Sequence, residues 1–384
     1  MKRLVPFNNA HFSKEIPKKI NKLFKSKFVQ TAAGFNYSKK CNQFIEKKLN
    51  VKKCYVTNSC TAALEVAAIV INLKKGDEVI LPSYTFVSTA NAILLRGATP
   101  VYVDIKEEDL NINEDLISRS ITKRTKAIIV VHYAGFSCNM LKIKKIAKKN
   151  NLFLIEDAAQ SFLSKHKNKY LGTIGDIGCI SFHETKNITS AEGGAILINN
   201  KKLIKKCSIV LHKGTDRENY ERLGKKFYSW QGIGSSYMPS DIICLILYHQ
   251  LKNSKKITLR RKKIWMAYFK KLSFLRKISK FQNIKLFNQS NGHMFYLLFK
   301  NKTLRDFFLK ELNENGIQST FHYIPLHITP FGKKYGKNKF DLKVTESIYN
   351  RIIRLPLWYD VNYNVVIKTI KKIYNKLNNQ KTYI

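Results

Sequence analysis

A single lysine, Lys186, occupies a short polar link between two apolar runs of the sequence. The run before it ends at Phe182 and the run after it begins at Gly194, and both are typical of buried strands. A lysine held where two interior strands meet is partly desolvated, which lowers the pKa of its amine and leaves a neutral nucleophile. Such an amine can form a Schiff base with a carbonyl compound. The alternative is a turn residue whose ammonium points into water, which is the commoner arrangement for a lone lysine.

Further polar and aromatic residues stand just after predicted strands. Ser59-Cys-Thr61 opens a helix, where free backbone N–H groups and the helix dipole favour a phosphate. Tyr84-Thr-Phe86 offers an aromatic ring, and Asp157 and Gln160 follow the strand that ends at Glu156. Each feature alone has an ordinary explanation, such as capping a helix or packing in a core.

Together these features match one cofactor, pyridoxal phosphate. This ligand needs a phosphate anchor, a stacking ring, a carboxylate that keeps the pyridine nitrogen protonated, and a lysine that holds the aldehyde and moves the proton. The chain has no G-x-G-x-x-G and no G-x-x-x-x-G-K-[ST] loop for nucleotide phosphates. It also has no metal-ligand spacing and no G-x-S-x-G nucleophile motif.

Short Val- and Ile-rich runs alternate with helical stretches through the first half of the chain. The predicted strands are 54–57, 78–82, 100–104, 127–131 and 152–156, and the predicted helices are 59–72, 87–95, 112–121 and 139–149. This alternation predicts an α/β fold with a mainly parallel sheet covered on both faces, in which ligands bind at the carboxyl ends of the strands.

The length of 384 residues exceeds one compact core and predicts two domains. We place the N-terminal segment and the large cofactor-binding domain at 1–256, and a small C-terminal α/β domain at 257–384. Helices are predicted there at 257–275, 304–316 and 361–378, and strands at 293–299 and 318–323. The site is expected between the two domains.

The formal charge of +43 invites a nucleic-acid hypothesis. The lysines are spread along the chain, however, and no nucleic-acid motif accompanies them. Compositional drift of surface residues is therefore favoured over a nucleic-acid face, although the charge would still attract anionic substrates. Seven scattered cysteines fit reduced thiols, and no apolar run could span a bilayer or form a signal peptide, so a cytoplasmic protein without a membrane partner is expected.

The sequence resembles the DegT/DnrJ/EryC1/StrS family of sugar aminotransferases, a branch of the fold-type I pyridoxal-phosphate enzymes. The segments that carry the resemblance are 58–65, 76–91, 131–135, 156–160, 172–178 and 181–194. Within the family, the segments 181–187, 213–217, 233–237, 293–296, 321–327 and 354–357 resemble the branch that makes dTDP-4-amino-4,6-dideoxygalactose, a sugar of enterobacterial common antigen.

The resemblance implies roles for four residues around the cofactor ring. Lys186 would bind the cofactor covalently and shuttle the proton, and Asp157 would pair with the pyridinium nitrogen. Gln160 would reach the ring hydroxyl, and Phe86 would stack on the ring.

The resemblance also implies a phosphate site and a substrate site. Cys60, Thr61 and Ser181 would bind the phosphate. Ser236 stands where the wider family uses an Asn that reaches the neighbouring subunit, which implies a homodimer with a shared active site. Tyr323 and His327 are candidates for the sugar pocket, and core packing of the small domain is the equal alternative for both.

Three departures from the family pattern are visible. The segment 31–36 replaces a Gly-Asp-Gly-rich loop near the site, Ala191 replaces a Gly, and the segment 243–245 replaces a small, Ala-rich stretch of helix.

The implied reaction converts a dTDP-4-dehydro-6-deoxyhexose and L-glutamate to dTDP-4-amino-4,6-dideoxy-D-galactose and 2-oxoglutarate. A C3-specific or UDP-linked keto-sugar aminotransferase remains an alternative, as does a non-catalytic basic binding protein on the same fold. A dehydratase of the family is disfavoured because that branch lacks the lysine.

Overall fold

The computed structural model describes residues 5–26, 31, 34, 36–218 and 227–379. Its strands are β1 (Lys53–Thr57), β2 (Glu78–Pro82), β3 (Thr99–Val103), β4 (Thr125–Val131), β5 (Phe153–Asp157), β6 (Lys165–His166), β7 (Lys169–Tyr170), β8 (Ile177–Ser181), β9 (Gly194–Ile198), β10 (Ser279–Phe281), β11 (Phe295–Phe299), β12 (Lys337–Asn338) and β13 (Ile352–Leu355).

The helices are α1 (Ile16–Phe24), α2 (Asn36–Leu49), α3 (Cys60–Val70), α4 (Val87–Leu94), α5 (Glu114–Ser120), α6 (Met140–Lys149), α7 (Ile204–Leu211), α8 (Asp241–Lys252), α9 (Ser254–Lys271), α10 (Ile284–Phe287), α11 (Lys302–Glu314), α12 (Pro330–Tyr335), α13 (Lys343–Arg351) and α14 (Tyr363–Asn379). Short 3₁₀ helices cover Tyr133–Gly135, Lys201–Leu203, Ser273–Lys277 and Leu326–Ile328. None of the helices in this described part of the chain is long and apolar enough to cross a bilayer.

The large sheet has the strand order β1-β9-β8-β5-β4-β2-β3-β12. The pairs from β8 through β12 are parallel, whereas β9 runs antiparallel to both of its neighbours. The central strands are almost wholly buried, as expected for a sheet with helices on both faces. The predicted α/β fold with a mainly parallel large sheet is therefore confirmed.

The register of the sheet brings the ends of separate strands to one edge. Asp157 at the end of β5 lies opposite Val131 of β4 and Cys179 of β8. Gly194 at the start of β9 lies opposite both Ser181 and Thr57. Residues that follow β1, β5 and β8 in the sequence therefore meet at the same edge.

A second, three-stranded antiparallel sheet has the order β10-β11-β13. It packs with α9, α11, α13 and α14 around its own apolar core. Val5 from the start of the chain joins this region through a backbone bridge to Ile317. In contrast, β12 comes from the C-terminal part of the chain but pairs with β3 at the edge of the large sheet. The proposed division of the chain at residue 256 stays a prediction.

Most predicted elements have their counterparts, with ends shifted by a few residues, but the strand predicted at 318–323 is wrong. Thr320 forms one isolated bridge with Arg354, and the chain then leaves the small sheet. The carbonyl of His322 instead accepts hydrogen bonds from the hydroxyls of Tyr84 and Tyr133. The predicted helix 257–275 divides into α9 and the following 3₁₀ helix.

Candidate active site

A cavity of about 290 Å³ opens at the shared edge of the strands of the large sheet. Eight of the ten predicted site residues line this active-site cavity: Cys60, Thr61, Phe86, Asp157, Gln160, Ser181, Lys186 and Tyr323. Residues separated by more than two hundred positions in the sequence therefore contribute to one site.

Lys186 lies in the polar link between β8 and β9, as predicted. Its backbone N–H donates to the carbonyl of His183 at 2.9 Å. The next residue, Asn187, donates through Nδ2 to the carbonyl of Asn291 at 3.0 Å, and its Oδ1 lies 3.0 Å from Nδ1 of His293. The contacts of the Asn187 side chain with Asn291 and His293 join the residue after the lysine to a segment outside the link.

Ala191, in the same link, has a φ of 71°. This is the left-handed region, which a residue with a Cβ adopts at a cost of about 1–2 kcal/mol. A glycine would adopt it without strain. The departure from the family pattern at Ala191 therefore falls where the backbone favours glycine.

Burial lowers the pKa of the Lys186 amine, and the charge of Arg354 acts in the same direction. The carboxylate of Asp157 opposes this shift without cancelling it. The neutral, nucleophilic form of the amine is therefore more populated than for a lysine in water. This is the electrostatic environment that the sequence predicted.

Asp157 is buried at the end of β5, and hydrogen bonds hold both of its carboxylate oxygens. Thr89 Oγ1 donates to Oδ2 at 2.8 Å, and the Ala159 N–H donates to Oδ1 at 3.1 Å. Burial raises the pKa of this carboxyl, whereas the two hydrogen bonds and the charge of Lys186 oppose the rise. No salt bridge to Asp157 is formed within the described ranges, so the carboxylate is available to a cationic group in the cavity.

Helix α3 directs its N-terminus into the cavity. Ser59 is its N-cap, and its Oγ accepts the Ala62 N–H at 3.0 Å. The first two residues of the helix, Cys60 and Thr61, line the cavity. The free N–H groups of a first helical turn bind phosphate well. Burial raises the pKa of the Cys60 thiol well above its usual range, so this side chain stays protonated.

Gly194 explains how α3 approaches the large sheet so closely. A Cβ at this position would lie 2.4 Å from the carbonyl carbon of Ser59 and 2.5 Å from the nitrogen of Cys60. Glycine is therefore required beside the proposed phosphate anchor.

Phe86 and Tyr323 form an aromatic wall of the cavity. Their ring centroids are 6.2 Å apart, and Phe86 is 56% exposed, so one face of its ring is free to stack on a ligand. Gln160 Nε2 donates to the Tyr323 hydroxyl at 2.8 Å, and its Oε1 accepts the Ala134 N–H at 2.6 Å. Gln160 thus joins the large sheet to the segment that carries Tyr323.

Two predicted site residues do not line the cavity. His327 lies with Nδ1 2.7 Å from Ser83 Oγ and Nε2 3.0 Å from Glu346 Oε1. His327 therefore links Ser83, which follows β2, to Glu346 of α13. Its predicted contact with the sugar stays a prediction. Ser236 is exposed, and its carbonyl accepts a hydrogen bond from Asn58. Its predicted role in a partner's site also stays a prediction. Half of the altered loop at 31–36, namely residues 32, 33 and 35, lies outside the described residues.

Phe7, His293, His322 and Arg354 are among the residues of the cavity that received no role in the sequence analysis. Arg354 lies in β13, where it interrupts an otherwise apolar run from 352 to 357. A charged residue in such a run was the signal that could have identified it. The position of Phe7 had no such signal, because it depends on how the N-terminal segment crosses to the small sheet.

Comparison with known proteins agrees with this site. The model of the DegT/DnrJ/EryC1/StrS aminotransferase family matches residues 11–374. GDP-perosamine synthase of Escherichia coli O157:H7 is 32% identical over 88% of this chain and 89% of its own length. The spore coat polysaccharide biosynthesis protein SpsC of Bacillus subtilis is 32% identical over 85% and 86%.

Solved structures share the fold over almost the whole chain. Helicobacter pylori PseC, an aminotransferase involved in the biosynthesis of pseudoaminic acid, matches with a TM-score of 0.88 and 26% identity, over 97% of this chain and 99% of its own. NtdA of Bacillus subtilis, with bound cofactor PMP, matches with a TM-score of 0.85 and 25% identity, over 97% and 86%. The predictions of a fold-type I enzyme and of pyridoxal phosphate as cofactor are thereby confirmed. With its family model matched across nearly its full length, the chain belongs to the DegT/DnrJ/EryC1/StrS aminotransferase family.

Proposed function

We propose that this sugar aminotransferase moves the amino group of L-glutamate to C4 of a dTDP-4-dehydro-6-deoxyhexose. The products are dTDP-4-amino-4,6-dideoxy-D-galactose and 2-oxoglutarate. The observation that carries the proposal is that Lys186, Asp157 and the N-terminus of α3 meet in one cavity.

The residues of the cavity fit pyridoxal phosphate. The first turn of α3, with Ser181, would hold the phosphate, and Asp157 would hold a protonated ring nitrogen. Phe86 offers a ring face, and Gln160 lies at the wall with its amide already oriented by Ala134 and Tyr323. When bound, the cofactor accepts the negative charge that develops on the carbon bearing the amino group.

The chain's own residues perform the remaining tasks. Lys186 Nζ would take a proton from that carbon and deliver it to the carbon that carried the cofactor's aldehyde, which requires the neutral amine that burial favours. Thr89 and Ala159 donate to Asp157 and so favour its ionised form, in which it can keep the ring nitrogen protonated. The aromatic wall of Phe86 and Tyr323 excludes water from one side of the site.

The finer substrate assignment is supported by the segments 181–187 and 321–327, which resemble the C4-aminating, dTDP-specific branch. The charge of +43 suits an anionic nucleotide sugar. We also propose that the protein is a cytoplasmic homodimer, in which Ser236 of one protomer reaches the phosphate site of the other. A GDP-linked sugar is the second candidate because of the 32% identity with GDP-perosamine synthase.

The test begins with the visible absorbance spectrum of the protein incubated with pyridoxal phosphate, before and after L-glutamate is added. A yellow band that bleaches is expected. The enzyme is then given dTDP-, UDP- and GDP-linked keto-sugars, and the products are identified by mass spectrometry and NMR. An amino group at C4 of the dTDP sugar supports the proposal. Amination at C3, or amination of only the UDP- or GDP-linked sugar, would contradict the proposed substrate. A colourless protein would favour the non-catalytic alternative.

A further inference from the structure

His183 and Glu192 lie on the rim of the active-site cavity, in the same link between β8 and β9 that carries Lys186. All three residues line the cavity. Nε2 of His183 is 3.2 Å from Oε1 of Glu192, and the two side chains are 39% and 65% exposed. Neither side chain has a part in the cofactor contacts described above, and both are open to a ligand that enters the cavity.

Contacts with Thr185 fix the orientation of the His183 ring. Nδ1 accepts the backbone N–H of Thr185 at 3.3 Å and lies 3.0 Å from Thr185 Oγ1. Because Nδ1 is an acceptor, the neutral ring carries its proton on Nε2, the nitrogen that lies beside Glu192. His183 therefore holds one oxygen of the Glu192 carboxylate. Across the described ranges of the chain, no hydrogen bond is formed to the other oxygen, which is available to a ligand.

Glu192 places a carboxylate at the cavity of a strongly basic protein. The sequence has 69 Lys and Arg residues against 26 Asp and Glu residues. In the part of the chain that the structure describes, no lysine or arginine pairs with Glu192. A carboxylate in this position repels the phosphate of the cofactor, the carboxylates of glutamate and the diphosphate of the nucleotide sugar. It is suited to an uncharged group that donates hydrogen bonds, and the hexose is the part of the substrates that has such groups.

We infer that Glu192 binds the C3 hydroxyl of the keto-sugar, with His183 holding the carboxylate in place. This inference rests on the proposed function. A 4-dehydro-6-deoxyhexose that is attached to its nucleotide through C1 has free hydroxyls on C2 and C3, and C3 is bonded to the reacting C4. The residue that binds the C3 hydroxyl must therefore share a cavity with Lys186, as Glu192 does. A hydroxyl forms its strongest hydrogen bonds with a charged acceptor such as a carboxylate.

This contact would make Glu192 a residue that determines which sugar is accepted. Glu192 and Lys186 belong to one short segment, so the hydroxyl acceptor and the reacting amine are held together between β8 and β9. A sugar that lacks the C3 hydroxyl loses the contact, and a site built around a hydrogen bond discriminates against such an analogue. His183 is a positioning residue, because it acts on the sugar through Glu192.

Glu192→Gln tests the inference when the two half-reactions are measured separately by stopped-flow absorbance. With pyridoxamine phosphate bound, kcat/KM for the keto-sugar should fall at least about 10-fold, as expected when a hydrogen bond loses its charged acceptor. With pyridoxal phosphate bound, kcat/KM for L-glutamate should change less than about threefold. Glu184→Gln is the matched control, because Glu184 lies in the same link but is exposed and does not line the cavity. It should leave both values unchanged.

A binding measurement gives a readout that does not depend on turnover. A dTDP-linked 6-deoxyhexose with a hydroxyl at C4 cannot be aminated, and titration calorimetry measures its affinity for the holoenzyme. Its Kd should rise at least about 10-fold in Glu192→Gln and stay unchanged in Glu184→Gln. The Kd of dTDP alone, and that of the 3-deoxy analogue of the sugar, should be the same in the wild type and in Glu192→Gln, because neither ligand has the C3 hydroxyl.

Three results would overturn the inference. They are an unchanged affinity of Glu192→Gln for the complete sugar, an equal loss for the 3-deoxy analogue, and a loss in the glutamate half-reaction as large as that in the sugar half-reaction. The last result would mean that Glu192 binds the ammonium of the donor or only supports the link. If Glu192→Gln does not fold, Glu192→Asp replaces it, because it withdraws the carboxylate by one methylene and should weaken the same sugar at least about threefold.

Failure of the proposed function has a different signature. A wild-type enzyme that aminates C4 of only a UDP- or GDP-linked sugar would refute the dTDP substrate, and the comparison of the Glu192 and Glu184 variants would be made with that sugar. Amination at C3 would overturn both the proposed substrate and the contact with Glu192.

Discussion

Thr89 Oγ1 donates a hydrogen bond of 2.8 Å to Asp157 Oδ2, and Thr85 Oγ1 lies 2.9 Å from Thr89 Oγ1. All three residues are buried. A donor held in this way stabilises the charged carboxylate and opposes the rise in its pKa that burial causes. Thr89 is therefore a positioning residue, because it acts on the proposed cofactor contact through Asp157.

Thr89→Val should reduce kcat about 10-fold or more while the cofactor stays bound, since a hydrogen bond to a charged group contributes about 1.5–3 kcal/mol. The pKa of Asp157 should rise, so the acidic limb of the pH–kcat profile should move to higher pH. Thr89→Ser keeps the hydroxyl and should restore both values. A valine variant with an unshifted profile would show that Thr89 only fills space.

Asp157→Asn should retain pyridoxal phosphate but lose at least about 100-fold in kcat, because a neutral amide cannot stabilise a protonated ring nitrogen. Single-turnover absorbance would follow the loss. The same substitution at Asp341, whose side chain is 79% exposed, should have no effect on the rate. A rate near that of the wild type in Asp157→Asn would exclude the predicted pyridinium contact.

Lys186→Met should abolish amino transfer while keeping most of the volume of the side chain. The substitution should also change how the stability of the apoprotein depends on pH. Burial lowers the pKa of Lys186 below 10.5, so between the folded-state pKa and 10.5 the unfolded chain binds the extra proton. The stability of the wild type should therefore rise with pH across that window relative to the variant. Urea unfolding at several pH values measures this difference, and parallel curves would contradict the desolvation of Lys186.

Gly194→Ala should weaken pyridoxal phosphate by at least about tenfold in Kd, because the added Cβ must displace the start of α3. Gly232→Ala is the control, since nothing lies within 4 Å of a Cβ at that position. Absorbance titration should show that pyridoxal, which lacks the phosphate, binds the two variants similarly. If pyridoxal is weakened as much as pyridoxal phosphate, the first turn of α3 is not the phosphate anchor.

Glu156→Gln should cost about 3–5 kcal/mol of stability at pH 7, since it breaks a buried charged network. Glu156 lies 2.9 Å from His132 and accepts the backbone N–H groups of Gly172, Ile174 and Gly175. The hydrogen bond from His132 and these N–H groups hold the pKa of Glu156 below its usual range despite burial. The stabilisation is therefore complete above pH 4.5 and is lost as the pH falls through the folded-state pKa. Denaturant unfolding at pH 7 and at low pH would reveal whether the two proteins converge.

The regular elements of the large sheet could be predicted because their signals are local. Runs such as 78–82 and 127–131 are continuous apolar segments, and Ser59 marks the start of α3 by capping it. The segment 318–323 was predicted wrongly because its apolar residues resemble a strand. In the structure, the His322 carbonyl instead accepts hydrogen bonds from the hydroxyls of Tyr84 and Tyr133.

The sequence by itself determined the types of residue at the site and the strand ends that carry them. Lys186, Asp157 and the cap at Ser59 each follow or precede an apolar strand, and parallel strands bring such residues to one edge. Only the tertiary structure decided what faces that edge. Arg354 and Phe7 reach the cavity through the small sheet, whereas His327 remains between Ser83 and Glu346. These positions depend on contacts between residues far apart in the sequence, and no local pattern of apolar and polar residues encodes such contacts.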